Sequence, residues 1–443
     1  MSARRWFDVH SFTGVFTGIM LLIICWGGTV ATLSFEFDWL MTPEMRVQPF
    51  EGEIDWDAVG RSVLEEFPGA KVQMFLVPPY QRSAIEVVLA RNDRPRTRVF
   101  VDPSNAEVLG VGSMANVQRF FRSFHRRLFF PNPIGIIFVS LFAISLAVSI
   151  TSALLFYKRW WSKFLRFKPG KKNAWVTELH KTGGLWVLVF AILIAVTGIW
   201  YGLEATGVPH SLFAKQQVSE QAITEQTSVL TVNELTAIAQ QARPDLEIRQ
   251  IFPPGSFFGD ARLRVAGKGD DWFLRDWVNS VTVSDTGVLI KQQSGADLTS
   301  FEYWENMADP LHFGNFAGIT SKIIWFLFGL MLSGLCLSGL YLHAKRLFRQ
   351  GGFSGRAYWR GTASALVCTI LVVLISVFPG IDEIVGYLGD SDPTVAGIPM
   401  APGVRRFIIG WILLTLAVII LCFTWIWRAG TGGRRPETPP RVL

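Results

Sequence analysis

Apolar and polar positions along the chain separate into long charge-free runs and intervening stretches in which charged residues are frequent. A membrane-spanning helix needs roughly 20 consecutive apolar residues without charge. Six runs meet this requirement, at about 11–35, 128–157, 182–203, 323–342, 361–381 and 407–427. The pattern predicts an α-helical membrane protein whose first run is too long to be the core of a cleaved signal peptide.

The two long polar stretches share one order of secondary-structure signals. In each stretch an amphipathic helix is followed by short segments in which apolar and polar residues alternate, as in half-buried strands. The first has its helix at 54–67 and strands at 71–77, 83–90, 97–102 and about 102–111; the second has its helix at 231–242 and strands at 246–252, 261–267, 279–284 and 285–290. A helix followed by an antiparallel meander predicts a small α+β domain in each stretch.

An internal repeat relates the two halves of residues 1–345. His125 and Lys158 align without a gap to His312 and Lys345 at an offset of 187, and His10 aligns to His180 at an offset of 170. Each copy runs helix, α+β domain, helix in the same direction, so the repeat axis should lie along the membrane normal. The last two runs have no counterpart and form an appended hairpin. The predicted plan is helix 1–35, domain 36–127, helix 128–157, basic loop 158–181, helix 182–203, domain 204–320, helices 321–344, 361–381 and 404–427, and tail 428–443.

Orientation follows from the basic residues, because Lys and Arg of short loops stay on the cytoplasmic side. They concentrate at the start of the chain, in the loop after the second run, after the fourth run and in the tail. Both termini are therefore expected in the cytoplasm of a bacterial inner-membrane protein, with 36–127 and 204–320 outside. The net charge of +7 is mostly this topology signal, so nucleic-acid binding has no place in the interpretation; the lipid bilayer is the implied partner.

Four of the six histidines form two repeat-related pairs. His10 and His180 start the first and third helices at the cytoplasmic side, and His125 and His312 stand at the extracytoplasmic entries to the second and fourth. A twofold axis brings the members of each pair together from opposite sides, which suits a planar metallocofactor, and imidazole is the usual haem ligand. The pattern predicts two bis-histidine b-type haems. The competing interpretation of each residue is an interfacial polar group at a helix end.

The sequence leaves the roles of several residues near the pairs undecided. Arg122, Arg126 and Arg127 flank His125 on the side where positive charge is disfavoured, which indicates an anionic partner, either lipid headgroups or haem propionates. His343 has no repeat partner and competes with His180 for the cytoplasmic site. No CxxCH occurs and the four cysteines all lie in apolar runs, so any haem is non-covalent. Small residues leave space beside the cytoplasmic pair, namely Gly14, Gly18, Gly183 and Gly184.

The motifs VHSFTGVFTG, FHRRLF, ELHKTGG, DPLHFGNFAG and SGLYLHAKR resemble the PepSY-associated transmembrane family over about residues 1–350. The resemblance extends to ferric-siderophore reductases of the bacterial inner membrane that carry two haems. It implies two PepSY-like domains, His10 and His180 for an inner haem, and His125 and His312 for an outer haem. The final hairpin lies outside the shared core.

The resulting functional prediction is a haem-dependent oxidoreductase that passes electrons to a periplasmic acceptor, and the expected acceptor is a ferric siderophore. No GxGxxG fingerprint follows a strand, so the electrons must come from a separate cytoplasmic reductase or from quinol. The alternatives are a PepSY binding or regulatory protein without haem, and an accessory permease for iron uptake. A permease is disfavoured because the apolar runs contain no ionisable side chain apart from histidine.

Overall fold

The computed structural model describes residues 2–90, 96–164, 175–212, 229–256, 261–352, 358–388 and 398–432. Its α-helices are α1 Ala3–Phe16, α2 Gly18–Thr32, α3 Ser34–Met41, α4 Trp56–Glu66, α5 Val117–Arg127, α6 Ile134–Phe156, α7 Trp175–Trp186, α8 Leu188–Ala205, α9 Val208–Leu212, α10 Val232–Ala242, α11 Ser300–Phe313, α12 Gly318–Arg349, α13 Tyr358–Leu388 and α14 Pro402–Thr431. The strands are β1 Lys71–Leu76, β2 Ile85–Ala90, β3 Thr97–Val101, β4 Val108–Gly112, β5 Glu247–Phe252, β6 Arg262–Lys268, β7 Asn279–Ser284 and β8 Leu289–Gln293.

Within the described residues, five helices are long and apolar enough to cross a membrane: α6, α8, α12, α13 and α14. A sixth span results if α1 and α2 are counted together, although the two helices meet at an angle of 65°. The sequence predicted one straight helix over 1–35. Thr17, at the break, bonds back to the Thr13 carbonyl (2.9 Å) and across to Ser145 (2.7 Å), which holds the bend against α6. The third helix is also broken, at Val187 between α7 and α8. Val187 is 170 residues after Thr17, so the two breaks are at equivalent positions of the repeat.

The second and fourth spans begin differently from the prediction. The sequence predicted helices over 128–157 and 321–344, whereas α6 begins at Ile134 and α12 runs from Gly318 to Arg349. Leu128 and Phe129 have positive φ angles, which end the helical backbone between α5 and α6. Gly314, with a φ of 73°, ends it between α11 and α12. His125 and His312 therefore lie near the C-termini of the short helices α5 and α11, which precede these spans.

All eight strands belong to one antiparallel sheet in the order β4-β3-β2-β1-β5-β6-β7-β8. β1, β2, β3, β5, β6 and β7 lie within two residues of their predicted bounds, whereas β4 and β8 begin later than predicted, at Val108 and Leu289, because turns precede them. The two predicted domains share this sheet. Phe75 pairs with Ile251 and Leu76 with Gln250, and the Val77 N–H donates to the Arg249 carbonyl at 2.8 Å. β1 and β5 would otherwise each end a four-stranded sheet, and their pairing satisfies both exposed edges.

One hydrophobic core lies beneath this joined sheet and includes residues from both halves, packed under α4 and α10. The two helices cap one another. Asp57 of α4 accepts the N–H groups of Val232 (3.0 Å) and Asn233 (3.2 Å), and Asn233 in turn accepts the Trp56 N–H at 2.8 Å. Because each helix supplies acceptors for the unpaired N-terminal donors of the other, the predicted domains fold as one body in the structure.

The sheet is tied to the membrane helices through Glu36 of α3. Its carboxylate accepts the Tyr80 hydroxyl at 2.5 Å and forms an ion pair with Lys322 of α12. Trp39, one turn further along α3, donates its indole N–H to the Arg82 carbonyl at 2.9 Å. These contacts hold the loop after β1 against α3 and the beginning of α12, so the sheet lies at one end of the helical bundle.

Candidate metal-ligating histidine pairs

His10 of α1 and His180 of α7 face one another at the end of the bundle away from the sheet. Their ring centres are 6.4 Å apart and the ring planes differ by 70°. Both rings are partly buried, and Phe156 of α6 contacts His10 edge-on at 5.5 Å. The sequence predicted this pair from a repeat offset of 170 residues. In the structure the two rings lie next to each other.

The hydrogen bonds of this pair assign its tautomers. His10 Nδ1 lies 2.9 Å from the Ser149 carbonyl oxygen, which can only accept, so Nδ1 carries the proton. His180 Nδ1 lies 2.9 Å from the Ser338 hydroxyl, which itself donates to the Leu335 carbonyl and is therefore left to accept from the ring. In both rings the lone pair is on Nε2, the nitrogen a metal ion would bind.

His125 of α5 and His312 of α11 form the second pair, at the sheet end of the bundle, with ring centres 6.0 Å apart and planes inclined by 41°. His125 Nδ1 donates to the Ile24 carbonyl at 2.9 Å. His312 Nδ1 lies 2.7 Å from Thr197, whose hydroxyl donates to the Leu193 carbonyl. The assignment is the same as in the first pair: a protonated Nδ1 and an Nε2 that no hydrogen bond occupies within the described part of the chain.

Burial keeps the second pair uncharged. Removal from water lowers the pKa of His125, and it lowers the pKa of His312 to about 3 with a further contribution from the neighbouring His125. Both imidazoles are therefore neutral at physiological pH. Neutral imidazole with a protonated Nδ1 is the form that binds iron.

The separation within each pair can be compared with that of two imidazoles on one metal ion. Bonds of about 2.0 Å to each nitrogen, with each ring centre about 1.2 Å behind it, put two trans rings roughly 6.4 Å apart. The structure has 6.4 Å for His10–His180 and 6.0 Å for His125–His312. The separation of the ring centres in each pair is therefore compatible with a metal ion between the two imidazoles.

Open space accompanies the first pair. Gly14 and Gly184 each lie one helical turn beyond a histidine, on the same face, and are related by the repeat offset of 170. A Cβ atom at either position would meet nothing within 4 Å, whereas one at Gly18 would lie 3.0 Å from Leu340. The two glycines nearest the histidines along the helix therefore have no side chain packed against them, which leaves room for a group beside the pair.

The second pair is packed more tightly. A Cβ atom at Gly28 of α2 would lie 2.5 Å from Cε1 of His125, and one at Gly27 would lie 2.8 Å from Phe124. Only glycine permits α5 to approach α2 this closely. The approach sets the position of the His125 ring, since the same ring bonds to the Ile24 carbonyl one turn earlier.

The two pairs are closer to one another than a full membrane span. His10 lies 14 residues before Ile24, the bonding partner of His125, and a straight helix of that length rises about 21 Å. The bend between α1 and α2 shortens this distance further. The sequence predicted a separation of roughly 30 Å from pairs at opposite membrane boundaries. The structure reduces it because α5 and α11 direct their histidines toward the middle of α2 and α8.

Asp38 holds the helix that carries His125. Its buried carboxylate accepts the first N–H groups of α5, from Val117 at 2.7 Å and Gln118 at 2.9 Å. At the other end of α5, Arg127 pairs with Glu383 of α13 and donates to the Phe130 carbonyl at 2.9 Å. Burial raises the pKa of Asp38 to about 6, although the two backbone donors oppose the shift.

The three arginines predicted as anion-binding residues have different environments. Arg127 is engaged with Glu383, and its guanidinium also lies 3.3 Å from the Ser123 hydroxyl. Arg122 and Arg126 are exposed on α5. Arg122 and Arg126 are thus the two placed on the surface beside His125, where an anionic group could reach them.

His343 lies apart from the first pair. It is buried on α12, its Nε2 is 3.2 Å from the Thr362 hydroxyl, and no group in the described part of the chain bonds to its Nδ1. Among the described residues no ring contact joins it to His10 or His180. The geometry therefore favours His180 as the partner of His10.

Sequence reasoning missed the groups that orient the imidazoles. Ser149, Ser338 and Thr197 lie inside apolar runs, where a hydroxyl group is uncommon, and each contacts a histidine Nδ1 directly or through its carbonyl. Polar residues within a span are a recognisable signal. The Ile24 carbonyl could not be recognised in this way, because every residue has a backbone carbonyl.

The spans, the joined sheet and the paired histidines define a multi-pass membrane protein that presents an α+β sheet domain at one end of its helical bundle. The model of one family, described as the PepSY-associated TM region, matches residues 7–346. The chain therefore belongs to this family, as the motifs predicted, and the α13–α14 hairpin follows the matched region. A search of curated proteins finds no match.

Proposed function

We propose that the protein conducts electrons across the bacterial inner membrane through two non-covalent b-type haems and reduces a ferric siderophore on the outer side. His10 and His180 would hold the inner haem, and His125 and His312 the outer one. The termini would be cytoplasmic and the sheet domain periplasmic, in agreement with the distribution of Lys and Arg.

One observation carries the proposal: all four histidines have Nδ1 bonded, Nε2 free, and a repeat-related partner at the spacing of a shared metal ion. An interfacial histidine needs none of these properties. Histidine rings brought together by packing alone would not all be expected to carry the proton on the same nitrogen. All four of these rings carry it on Nδ1. Two apolar clusters occupy the helical bundle between the pairs.

In this proposal the protein positions the haem ligands. The hydroxyl and carbonyl partners orient each imidazole and raise its basicity as a ligand, and the apolar helices exclude water from the path. Haem bound in this way supplies reversible one-electron chemistry. One electron delivered outward converts a chelated ferric ion to ferrous iron, which binds hard oxygen ligands less tightly and leaves. A separate cytoplasmic reductase or quinol supplies the electron.

The first test is spectroscopic and needs no substrate. Full-length protein purified in detergent should contain close to two non-covalent haems per chain, with a Soret band and the low-spin spectrum of two imidazole ligands. A chain without a Soret band would overturn the proposal and favour a binding or regulatory role for the sheet domain. One haem per chain would overturn the two-site arrangement.

The second test separates the sites. His125→Ala or His312→Ala should lose the outer haem and ferric-chelate reduction while the inner haem is still reduced from the cytoplasmic side in vesicles. His10→Ala or His180→Ala should leave an outer haem that only an external reductant reduces. His343→Ala is the matched control and should retain both haems. Loss of the inner haem in His343→Ala but not in His180→Ala would contradict the inner assignment.

A further inference from the structure

Three potential ligands from separate elements converge beside the second histidine pair. Glu204 lies near the C-terminus of α8, His210 in α9 and Glu305 in α11, and one donor atom from each lies within 4.8 Å of the others. His210 Nε2 is 3.6 Å from Glu305 Oε1. The family match and the predicted haem sites leave all three residues without a role.

The chain turns sharply to form this cluster. Gly207 has a φ of 73°, which a side chain would strain, and its N–H donates to the Glu204 carbonyl at 2.9 Å. The turn brings α9 back over the end of α8. His210 then contacts Phe301 of α11 edge-on at 6.1 Å, which orients its ring toward Glu305.

The charge in the cluster is incompletely compensated. Only 14 % of the Glu305 side chain is exposed, and its Oε2 is buried with no hydrogen-bond partner among the residues that the structure describes. Two arginines interact with Glu204: Arg275, which also forms an ion pair with Asp309 at 2.9 Å, and Arg126, whereas neither donates to Glu305 Oε2 among the described residues. A buried carboxylate oxygen without a donor is costly, and a bound cation removes that cost.

The cluster is also specific to the second half of the chain. At the repeat offsets of 187 and 170, Glu305 corresponds to Gln118 and Glu204 to Ser34. The first half folds with neutral side chains at both positions. The fold therefore does not require the two carboxylates, and another reason for them must be sought.

We propose that Glu204, His210 and Glu305 bind a divalent first-row transition-metal ion such as Zn²⁺, Mn²⁺ or Fe²⁺. One imidazole and two carboxylates suit this class of ion and leave coordination positions for water or another ligand. Ligand bonds of about 2.0–2.2 Å put donor atoms roughly 3–4 Å apart, so a small rotation of the exposed His210 closes the site. The inference rests on these residues and is independent of haem binding.

The test is a titration of the full-length protein, stripped with chelator and exchanged into chelator-free buffer, with ZnCl₂ and separately with MnCl₂ by calorimetry. We expect one site per chain that saturates above the background of weak surface binding. Glu305→Gln, which introduces the residue found at the aligned position 118, should weaken binding by roughly 10-fold or more, as should His210→Ala.

Two controls make the result decisive. Glu66→Gln removes an exposed carboxylate on α4 and should leave the affinity unchanged. His312→Ala should also retain the metal ion, which separates this site from the proposed haem function. The inference is overturned if the wild-type chain shows no saturable site, or if Glu305→Gln and His210→Ala bind as tightly as the wild type while their melting temperatures are unchanged.

Discussion

Individual hydroxyl and carbonyl groups decide which nitrogen of each histidine is available. Ser338 and Thr197 satisfy backbone carbonyls of their own helices and so can only accept from the imidazole. Ser149 acts through its backbone carbonyl, which has the same effect. The proton is held on Nδ1, away from the partner ring, in every case.

A conservative replacement can test this assignment. Thr197→Val keeps the side-chain shape but removes the acceptor of His312 Nδ1–H, which frees the ring to rotate or to change tautomer. We expect the affinity of the outer site for haem to fall by roughly 10–100-fold, measured as haem retained after dilution. Thr424→Val is the matched control, because Thr424 bonds the carbonyl four residues earlier but contacts no histidine. Equal retention in both variants would show that Thr197 has no orienting role.

Asp38 makes stability depend on pH in an unusual direction. Its pKa rises from 3.8 to about 6 on folding because the carboxyl group is buried. A folded pKa above the unfolded value means that the contribution is fully present below pH 3.8 and is lost as pH rises through 6. A shift of this size corresponds to about 3 kcal/mol at most.

The stability advantage of the wild type over Asp38→Asn should therefore be larger at pH 4.5 than at pH 7.5. Melting temperatures from intrinsic tryptophan fluorescence measure it. Asp245→Asn provides a control of opposite sign, since the ion pair with Arg243 lowers the pKa of Asp245 and its contribution is lost as pH falls. An advantage of Asp38 that grows with pH would contradict the assignment.

At the scale of elements, short helices and breaks place the histidines. α5 and α11 end before the spans they precede, and α1 and α7 are set off from α2 and α8 at Thr17 and Val187. The break between α1 and α2 is a bend of 65°, and no side chain packs within 4 Å of a Cβ atom at Gly14 or Gly184. If α1 continued in the direction of α2 without the bend, His10 would lie farther from His125 than it does in the structure.

Filling this space should remove the inner cofactor without harming the fold. Gly14→Leu and Gly184→Leu add a side chain where no atom lies within 4 Å, so we expect folded protein with about half the haem content of the wild type. Gly410→Leu, another open position on the exposed face of α14, is the control and should retain full content. Full haem content in both inner variants would place the cofactor elsewhere.

At the scale of the whole molecule, the β1–β5 pairing makes one body of two repeats. Leu76 and Gln250 are directly opposed in a non-hydrogen-bonded pair, because the neighbouring Val77–Arg249 pair carries the bond. Such positions suit a disulfide bond. Leu76→Cys with Gln250→Cys should cross-link in living cells, seen as a mobility shift reversed by reductant.

Leu76→Cys with Gln292→Cys is the matched control, because β8 lies at the far edge of the sheet. Spontaneous cross-linking of the first pair alone would support both the joined sheet and its location in an oxidising compartment. A shift in the control but not in the first pair would contradict the strand order.

Topology can be measured independently with reporter fusions. Fusions after Leu109 in β4 and Val288 before β8 should be active outside the cytoplasm, and a fusion after Gly432 should be active inside. The expectation follows from the basic loops and from an even number of spans. A cytoplasmic signal at Leu109 or Val288 would contradict the proposed orientation.

The sequence alone determined the elements and the pairs. Charge-free runs predicted the spans, and alternation predicted six of the eight strands to within two residues, with β4 and β8 displaced by the turns before them. The offsets of 170 and 187 identified which histidines belong together. These features are encoded locally or by self-similarity, so a single sequence exposes them. The family match rests on the same motifs.

Tertiary structure decided what surrounds the pairs. The β1–β5 junction, the bend at Thr17 and the bond from His125 to the Ile24 carbonyl join positions far apart in sequence. No periodicity records such contacts, because they depend on which helix faces pack and how closely glycine lets them approach. The same packing collects Glu204, His210 and Glu305 around one point, although the sequence marks His210 only as a residue between two elements.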